Sequence, residues 1–372
     1  MKRFPPLTVL LLLASALLIA AVAGCSKQSS MMTAPDTATT SSLSSVKMGA
    51  NELRAAFAVQ EANTPALMRV PGVVGTATTV DETGRPAIMV LSEHALGVGR
   101  LPASIGAYRV IEEVTGKIIA YKGHGGTSHT AKQTPPIQLG TSGGNVNDIA
   151  NGFCCSGTLG SLVHIGATQY ILSNSHVFAG DVQSGGNGRV AQIGDDVNQP
   201  GLVDNNCSSA NTNIVADVSS LSTLYPPGST PNVDCAIAQV RSGMVSTNGA
   251  ILEVGTISAS TVAAFVGQAV KKSGRTTGLT RSSVNGLNAT VNVGYETECA
   301  GASFTKTFTG QIFVANNASR FLNSGDSGSL MVEDVNTNPR AVGLLYAGGG
   351  GVAVANPIGD VLSHLGASMV GQ

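Results

Sequence analysis

Residues 324–329 have the sequence SGDSGS. It sets Ser327 in a tight, glycine-flanked turn, where a hydroxyl is exposed and backbone N–H groups on either side can point at one place. A nucleophile needs this arrangement, because one turn then supplies the attacking oxygen and the donors that stabilise developing negative charge. The stretch therefore predicts that Ser327 is a nucleophile and that the N–H groups of Gly325 and Ser327 form an oxyanion hole.

Two upstream segments supply the partners that such a serine needs. His176 follows an apolar, strand-like run at residues 170–175, and Asp234 begins a short apolar strand at residues 234–238. A serine hydroxyl is a weak nucleophile unless a base lies within hydrogen-bond reach and an acid orients that base. We therefore predict that Ser327 attacks, that His176 takes and returns the proton, and that Asp234 holds the imidazole tautomer.

These segments, in the order His, Asp, Ser, resemble the trypsin-like serine peptidases. One further stretch, SGRTTG at 273–278, resembles the secreted bacterial branch of that family. Three more resemble a group of its bacterial and plant members; they are GTLG at 157–160, QPG at 199–201 and NPI at 356–358. The resemblance covers roughly residues 135–370 and implies an all-β fold with two six-stranded antiparallel β-barrels. It places the active site in the cleft between the barrels.

The resemblance also implies roles for single residues. It favours Asp234 as the catalytic acid over the rival candidates Asp204 and Asp217, because its position at the start of a strand fits the family. It implies an ion pair between Arg275 and Asp326, at least partly buried, that holds the serine loop. Loss of one partner of such a pair costs about 3–5 kcal/mol.

Two residues are predicted to bind substrate. The glycine run at 348–351 allows a close backbone approach, so a peptide can add there as an extended strand, with Gly348 in contact with it. The run lacks the strand–turn–helix setting of a phosphate loop. By resemblance, Phe321 forms the floor of the main side-chain pocket, which implies a preference for an apolar or small side chain.

The N-terminus predicts export. A basic start, MKR, precedes an apolar run from residue 7 to residue 22 and small residues that end at Cys25. This pattern is typical of an export signal, and the Ala-Gly-Cys ending resembles the lipobox of bacterial lipoproteins. The resemblance implies cleavage after residue 24, lipid on Cys25 and a firm anchor in the bilayer of the cell envelope, with Ser26 directing the protein to the outer membrane. The alternative is a plain secretory signal.

Composition shifts divide the rest of the chain. Residues 25–48 predict a flexible tether, 49–122 a small α+β module, 123–145 a Gly/Ser/Thr/Pro-rich linker and 146–372 the peptidase domain. The module can be a folding helper, an inhibitory prosegment, a docking piece or a structural appendage, and the sequence leaves these alternatives open.

Charge and cysteine content narrow the class of protein. Charged residues make up 12% of the chain and the net charge is −1, against about 25% charged residues in average soluble domains. No basic surface that would attract nucleic acid is expected. Five cysteines follow Cys25, so at least one lacks an intrachain partner. Cys154 or Cys155 is a candidate partner for Cys207, and Cys235 fits a small buried thiol.

We expect no metal and no organic cofactor. His124 and His129 lie close together, but no cysteine or acid stands beside them at ligand spacing, so this segment is interpreted as linker. The sequence thus predicts a serine endopeptidase of the bacterial cell envelope that acts on proteins or peptides through an acyl-enzyme. Two alternatives remain: an inactive peptidase fold used as a binding or scaffold lipoprotein, and a serine esterase or self-processing protein.

Overall fold

The computed structural model describes residues 49–120, 128–150, 153–180, 191–230, 232–295, 302–317 and 320–372. The signal peptide, Cys25 and the tether predicted before residue 49 lie outside the described residues, as does His124. Within the described ranges, no helix combines the length and the apolar character needed to cross a membrane.

The first elements of the chain form a small helix-and-sheet module. They are helix α1 (Ala50–Leu67) and strands β1 (Val73–Val80), β2 (Pro86–Ser92), β3 (Ser104–Ile105), β4 (Tyr108–Val114) and β5 (Ile119–Ala120). Every residue of β1 up to Thr79 is buried, because α1 packs on this part of the sheet. A buried hydrogen bond from Gln60 Nε2 to Thr76 Oγ1 (2.9 Å) fixes the helix on the strand.

The first barrel follows. Its elements are β6 (Thr141–Asn145), β7 (Ile149–Ala150), β8 (Phe153–Cys154), β9 (Gly157–Leu159), β10 (Ser161–Ile165), β11 (Thr168–Ser173), α2 (Ser175–Phe178), β12 (Asp196–Gln199), β13 (Asn213–Leu221) and β14 (Ala236–Val240). The pairing order is β10-β11-β14-β13-β12-β6-β9, with β21 (Ser368–Met369) added beside β10. Because β9 and β10 flank Gly160 as consecutive halves of one bent segment, this order closes a ring of six chain segments.

The second barrel is closed by direct pairing. Its elements are β15 (Ala269–Gly274), β16 (Gly278–Tyr295), β17 (Phe304–Ala315), β18 (Leu330–Glu333), β19 (Ala341–Gly348), β20 (Val352–Pro357) and helix α3 (Ile358–Leu365). The strands run β15-β18-β19-β20-β17-β16, and β15 pairs again with β16. The predicted all-β double barrel is thus confirmed, and Val, Ile, Leu and Ala supply most of both cores.

The N-terminal module shares its sheet with the second barrel. Strand β1 pairs with the far end of β16, from Gly75 opposite Val291 to Thr78 opposite Leu287. Strands β1, β2, β4 and β3 therefore extend the barrel sheet to eleven strands, counting β5.

The prediction of a linker over residues 123–145 is wrong for residues 141–145. Residues 141–145 form β6, which pairs with β9 and β12. The glycines that suggested flexibility are needed for packing: a Cβ on Gly143 would lie 2.5 Å from Leu159 and 2.7 Å from the carbonyl oxygen of Asn198. His129 is also buried rather than part of a linker, at 3% exposure.

The observed state of the cysteines agrees with the predictions for Cys207 and Cys235. Cys154 and Cys207 form a disulfide, one of the two pairings considered, and Cys155 is disulfide-bonded as well. Cys235 is the free cysteine among the described residues. Burial raises the pKa of its thiol far above the usual value, and the neighbouring negative charge of Asp234 adds to this rise. A neutral, buried thiol is a packing residue and not a nucleophile.

Candidate active site

His176 enters the site from the end of β11. The strand delivers buried Ile171 and Leu172 to the barrel core, and the chain then turns into the short helix α2, which carries His176 at 1% exposure. Asn174, at the junction, donates its side-chain N–H to the main-chain carbonyl of Asp234 at 2.8 Å. The turn between strand and helix is therefore tied to the residue that the imidazole contacts.

The Asp234 carboxylate is surrounded by donors. Its Oδ1 accepts the backbone N–H groups of Ser175 (2.7 Å) and His176 (3.3 Å), and its Oδ2 lies 2.5 Å from His176 Nδ1. The phenol of Tyr295 also donates to Oδ2, at 3.0 Å. A carboxylate only accepts hydrogen bonds, so Nδ1 carries the hydrogen and Nε2 is left as the basic nitrogen. Within the described ranges, Nε2 is buried without a hydrogen-bond partner.

The main chain of Asp234 is held from the second half of the molecule. Asn356, in the NPI segment at the end of β20, accepts the Asp234 N–H at 3.0 Å and donates to its carbonyl at 3.1 Å. In the sequence this segment resembles members of the family and predicts the start of a short C-terminal helix, but it gives no sign of a contact with Asp234. Two rival acids are engaged elsewhere, since Asp217 pairs with Arg241 and Asp204 pairs with Arg275.

The serine loop lies between β17 and β18. Gly325 (φ +96°) and Gly328 (φ +94°) occupy the left-handed region, which only glycine adopts without strain. Ser327 lies between them, and its Oγ donates to the carbonyl of Tyr346 at 3.0 Å rather than to His176. Across the described chain, the backbone N–H groups of Gly325 and Ser327 have no protein acceptor, as an oxyanion hole requires. The expectation of an exposed hydroxyl is wrong, because Ser327 is fully buried.

The first barrel receives this loop along β9. Thr158 donates its N–H to the Ser327 carbonyl (2.8 Å) and its hydroxyl to the Gly325 carbonyl (2.9 Å). A Cβ on Gly157 would lie 2.5 Å from Val177 and 2.9 Å from the Ser327 carbonyl oxygen. Since Val177 follows His176 in α2, the absence of a side chain at Gly157 lets the histidine helix and the serine loop approach the same point.

The predicted ion pair between Arg275 and Asp326 is wrong. The buried carboxylate of Asp326 instead lies 3.2 Å from the ammonium of Lys272, which is equally buried. Its other donors are Asn323 N–H, Thr276 N–H, Thr277 N–H and the Thr277 hydroxyl, all at 2.7–3.1 Å. These five donors satisfy the carboxylate, so the SGRTTG segment does contact Asp326, but through its backbone and a threonine.

Arg275 turns instead towards the first barrel. Its guanidinium donates to both carboxylate oxygens of Asp204, each at 2.6 Å, and the arginine is fully buried. A paired fork of this kind is the strongest geometry available to an arginine and a carboxylate. Ser142, in β6, also donates to Asp204, at 2.6 Å. Arg275 thus joins the two barrels beside the serine loop.

The predicted substrate edge is occupied by the chain itself. Along one edge of β19, residues up to 344 pair with β18, and the Tyr346 carbonyl then accepts the Ser327 hydroxyl. Beyond it, Ala120 lies opposite Ala347 and Ile119 opposite Gly348, in antiparallel pairing. Strand β5 therefore runs along this edge towards the serine loop, in the place where an added peptide strand was predicted.

Phe321 and the buried ionisable groups complete the site. Phe321 is 2% exposed and packs in the core of the second barrel, so its role as a pocket floor stays a prediction. Burial lowers the pKa of the Lys272 ammonium, and the charge of Asp326 opposes this shift. Among the described residues, no group of three or more His, Cys, Asp or Glu side chains is gathered as a metal site would require.

The fold is the double β-barrel of the trypsin-like serine peptidases, and comparisons with known sequences agree with it. Streptogrisin-A of Streptomyces griseus is 35% identical over 112 residues, which are 29% of this chain and 32% of streptogrisin-A. The chain thus spans about a third of the length of this curated relative. A family model described as the Nal1 C-terminal domain matches residues 232–355, a stretch that includes Asp234 and Ser327 but not His176.

Solved structures similar to this chain are also proteases. Protease A of Thermobifida fusca has 20% identity and a TM-score of 0.42, covering 63% of this chain and 99% of that protein. A glutamic acid-specific serine protease that uses a histidine triad in substrate binding has 20% identity and a TM-score of 0.41, covering 63% of this chain and 100% of its own. The predicted resemblance to trypsin-like serine peptidases is confirmed by the sequence match to streptogrisin-A.

Proposed function

We propose that this protein is a serine endopeptidase of the bacterial cell envelope that uses His176, Asp234 and Ser327 as its catalytic residues. The observation that carries the proposal is the 2.5 Å contact between His176 Nδ1 and a fully buried Asp234. Beside it lies a serine loop with two backbone N–H groups that have no acceptor among the described residues. An acid that orients an imidazole, next to a serine with oxyanion donors, is the arrangement that acyl transfer needs.

The reaction would begin with a rotation of the Ser327 side chain from the Tyr346 carbonyl towards His176 Nε2. His176 would then take the hydroxyl proton as Ser327 attacks the substrate carbonyl, and Asp234 would stabilise the imidazolium. The N–H groups of Gly325 and Ser327 would bind the oxyanion. His176 would next protonate the leaving amine, and water would hydrolyse the acyl-enzyme with the same residue as base.

The location in the envelope rests on the first residues of the chain. The basic start, the apolar run and Cys25 support export and a lipid anchor in the bilayer. Membrane partitioning of the wild-type protein and of Cys25→Ser, compared in cell fractions, tests this part. Equal partitioning of the two proteins would count against a lipid anchor.

Activity is tested by digestion of a peptide library beside a small-ester assay. An endopeptidase cleaves peptides at internal bonds, and the Ser327→Ala variant loses this cleavage. Cleavage of the ester alone would favour the esterase alternative. No reaction with either substrate, in a folded protein, would favour the scaffold alternative.

A second candidate function, self-processing, has its own support. The β5 segment pairs with Ala347 and Gly348 in the direction of the serine loop, so the chain's own N-terminal module covers the edge that a substrate strand would use. The Gly350 N–H also donates to the Thr115 carbonyl at 3.0 Å. A segment held in this way is both an inhibitor and the first substrate that the site meets.

N-terminal sequencing of protein from cells tests this candidate. Self-processing predicts that the wild-type protein begins beyond Ala120, near residue 130, and that Ser327→Ala retains the module. A wild-type protein that keeps the module, with full peptidase activity, would contradict it.

A further inference from the structure

Tyr295 is the donor to the Asp234 carboxylate that the proposed mechanism does not use. It ends β16, on the hairpin that reaches beyond the second barrel, and its side chain is 2% exposed. The phenol oxygen lies 3.0 Å from Asp234 Oδ2, the oxygen that also contacts His176 Nδ1. Oδ1 is occupied by two backbone N–H groups. Tyr295 is thus the single side chain, apart from His176, that donates to this carboxylate among the described residues.

The ring of Tyr295 is fixed on two sides. It stacks on Phe304, with centroids 4.8 Å apart and planes 8° from parallel, and its edge meets the imidazole of His176 at 5.8 Å and 69°. The preceding residue, Gly294, donates its N–H to the Ile118 carbonyl at 3.1 Å. The phenol is therefore held towards Asp234 by packing and by the N-terminal module, and its position does not depend on the hydrogen bond alone.

We propose that Tyr295 is a positioning residue that holds the Asp234 carboxylate and tunes its grip on the His176 imidazole. This inference rests on the proposed function. A hydrogen bond from the phenol draws electron density from Oδ2 and fixes the plane of the carboxylate. Without it, Oδ2 would face His176 alone, attract the imidazolium more strongly and rotate more freely.

The Tyr295 hydroxyl stays protonated and so remains a hydrogen-bond donor to Asp234. Burial raises the pKa of Tyr295 well above its usual value, and the negative charge of Asp234 raises it further, so the hydroxyl keeps its proton. Tyr346, Lys306 and Cys235 also feel the charge of Asp234. None of these three, within the described structure, donates a hydrogen bond to its carboxylate oxygens.

The test compares Tyr295→Phe with Tyr225→Phe in the full chain. Phenylalanine keeps both ring contacts of Tyr295 and removes only the hydroxyl. Tyr225 is the matched control, because its ring packs on the same Phe304 (5.4 Å, 71°) while the residue is 44% exposed and makes no hydrogen bond to Asp234. Three quantities are measured: kcat on a peptide substrate, the acid limb of the kcat/KM–pH profile, and the downfield proton resonance of His176 Nδ1.

Tyr295→Phe is expected to lower kcat by about 10- to 100-fold, because a carboxylate that rotates freely no longer holds the imidazole in its reactive orientation. The acid limb moves to higher pH and the Nδ1 proton resonance shifts, while Tyr225→Phe matches the wild type in all three. An unchanged acid limb and resonance in Tyr295→Phe would overturn the inference, even if kcat fell. A wild-type protein that neither cleaves the peptide nor processes itself would overturn the proposed function instead, and the resonance would still decide whether Tyr295 acts on the His176–Asp234 pair.

Discussion

The two halves of the candidate site are held by different forces. On the first barrel, Asp234 is fixed by backbone N–H groups, an imidazole and a phenol, so the two residues of the proposed acid–base pair are already in contact. On the second barrel, the Ser327 loop depends on the buried charge pairs of Lys272 and Arg275, and the serine hydroxyl is bonded away from His176. We call Asp234 with His176 the acid half, and the Ser327 loop with Lys272 and Arg275 the serine half. The acid half is thus preorganised, whereas in the serine half the Ser327 hydroxyl is not yet directed at His176.

The largest effect tests whether the two halves act as one unit. His176→Ala and Ser327→Ala are each expected to lower kcat by about a million-fold, and the double variant is expected to lose no more than either single variant. The reason is that loss of either residue removes the whole nucleophile–base mechanism, so the same residual reaction is left in each variant. Losses that multiply in the double variant would show that the residues act separately.

The charge pairs of the serine half differ in how replaceable they are. Arg275→Met leaves buried Asp204 with Ser142 as its remaining side-chain donor, so we expect about 3–5 kcal/mol less free energy of unfolding. Lys272→Met leaves Asp326 with four other donors and should cost clearly less. Urea unfolding of both variants measures the difference. The reverse order would contradict the assignment of Arg275 as the main link between the barrels.

The contact between the halves is tested by one methyl group. A Cβ on Gly160 would lie 2.1 Å from the Gly328 carbonyl oxygen, so Gly160→Ala must displace the serine loop. A displacement of about 1 Å lowers activity by about 100-fold. Gly359→Ala is the control, because a Cβ there meets no atom within 4 Å. Equal kcat values for the two variants would show that close contact at Gly160 does not position the serine loop.

The smallest effect is the response of the serine half to acid. His129 contacts Glu253 at 2.9 Å and Ser273 at 3.1 Å, and burial lowers its pKa from the usual 6.5, against the attraction of Glu253. Between the lowered pKa and 6.5 the unfolded chain binds more protons, so stability falls as the pH drops through this window. The loss is at most about 1.4 kcal/mol per pH unit.

Unfolding midpoints of the wild type and His129→Gln between pH 7.5 and pH 5 measure this contribution. The variant should show a shallower loss of stability on acidification. Parallel pH dependences of the two unfolding midpoints would mean that protonation of His129 does not destabilise the folded protein.

Patterns along the chain predicted the strands and helices well. Residues 73–80, 108–114 and 168–173 are β-branched or alternating runs of the kind that predicts strands, and the structure has strands with these bounds. The NPI segment likewise precedes helix α3. These elements depend on local periodicity, which is visible in a single sequence. The His176–Asp234 contact could be inferred as well, because both residues follow or begin strands in a recognisable order.

Other features had no local signal. Tyr295 is one aromatic residue in a long strand, and nothing near it in sequence indicates a partner 61 positions away. No pattern in the sequence around Lys272 distinguishes a buried ammonium from an exposed one. The Arg275 prediction failed because a motif shows which segment approaches Asp326 but not whether its backbone or its side chain makes the contact. The pairing of β5 with β19 joins residues more than 200 apart, which periodicity cannot reveal.

The proposed mechanism requires that Ser327 is a nucleophile activated by His176. To test this, wild-type protein trimmed beyond Ala120 is treated with a serine-reactive phosphonate. Peptide mass spectrometry then locates the adduct. We expect one covalent adduct, located on Ser327, and none in His176→Ala. A folded wild-type protein with no adduct, or with its adduct on a different serine, would contradict it.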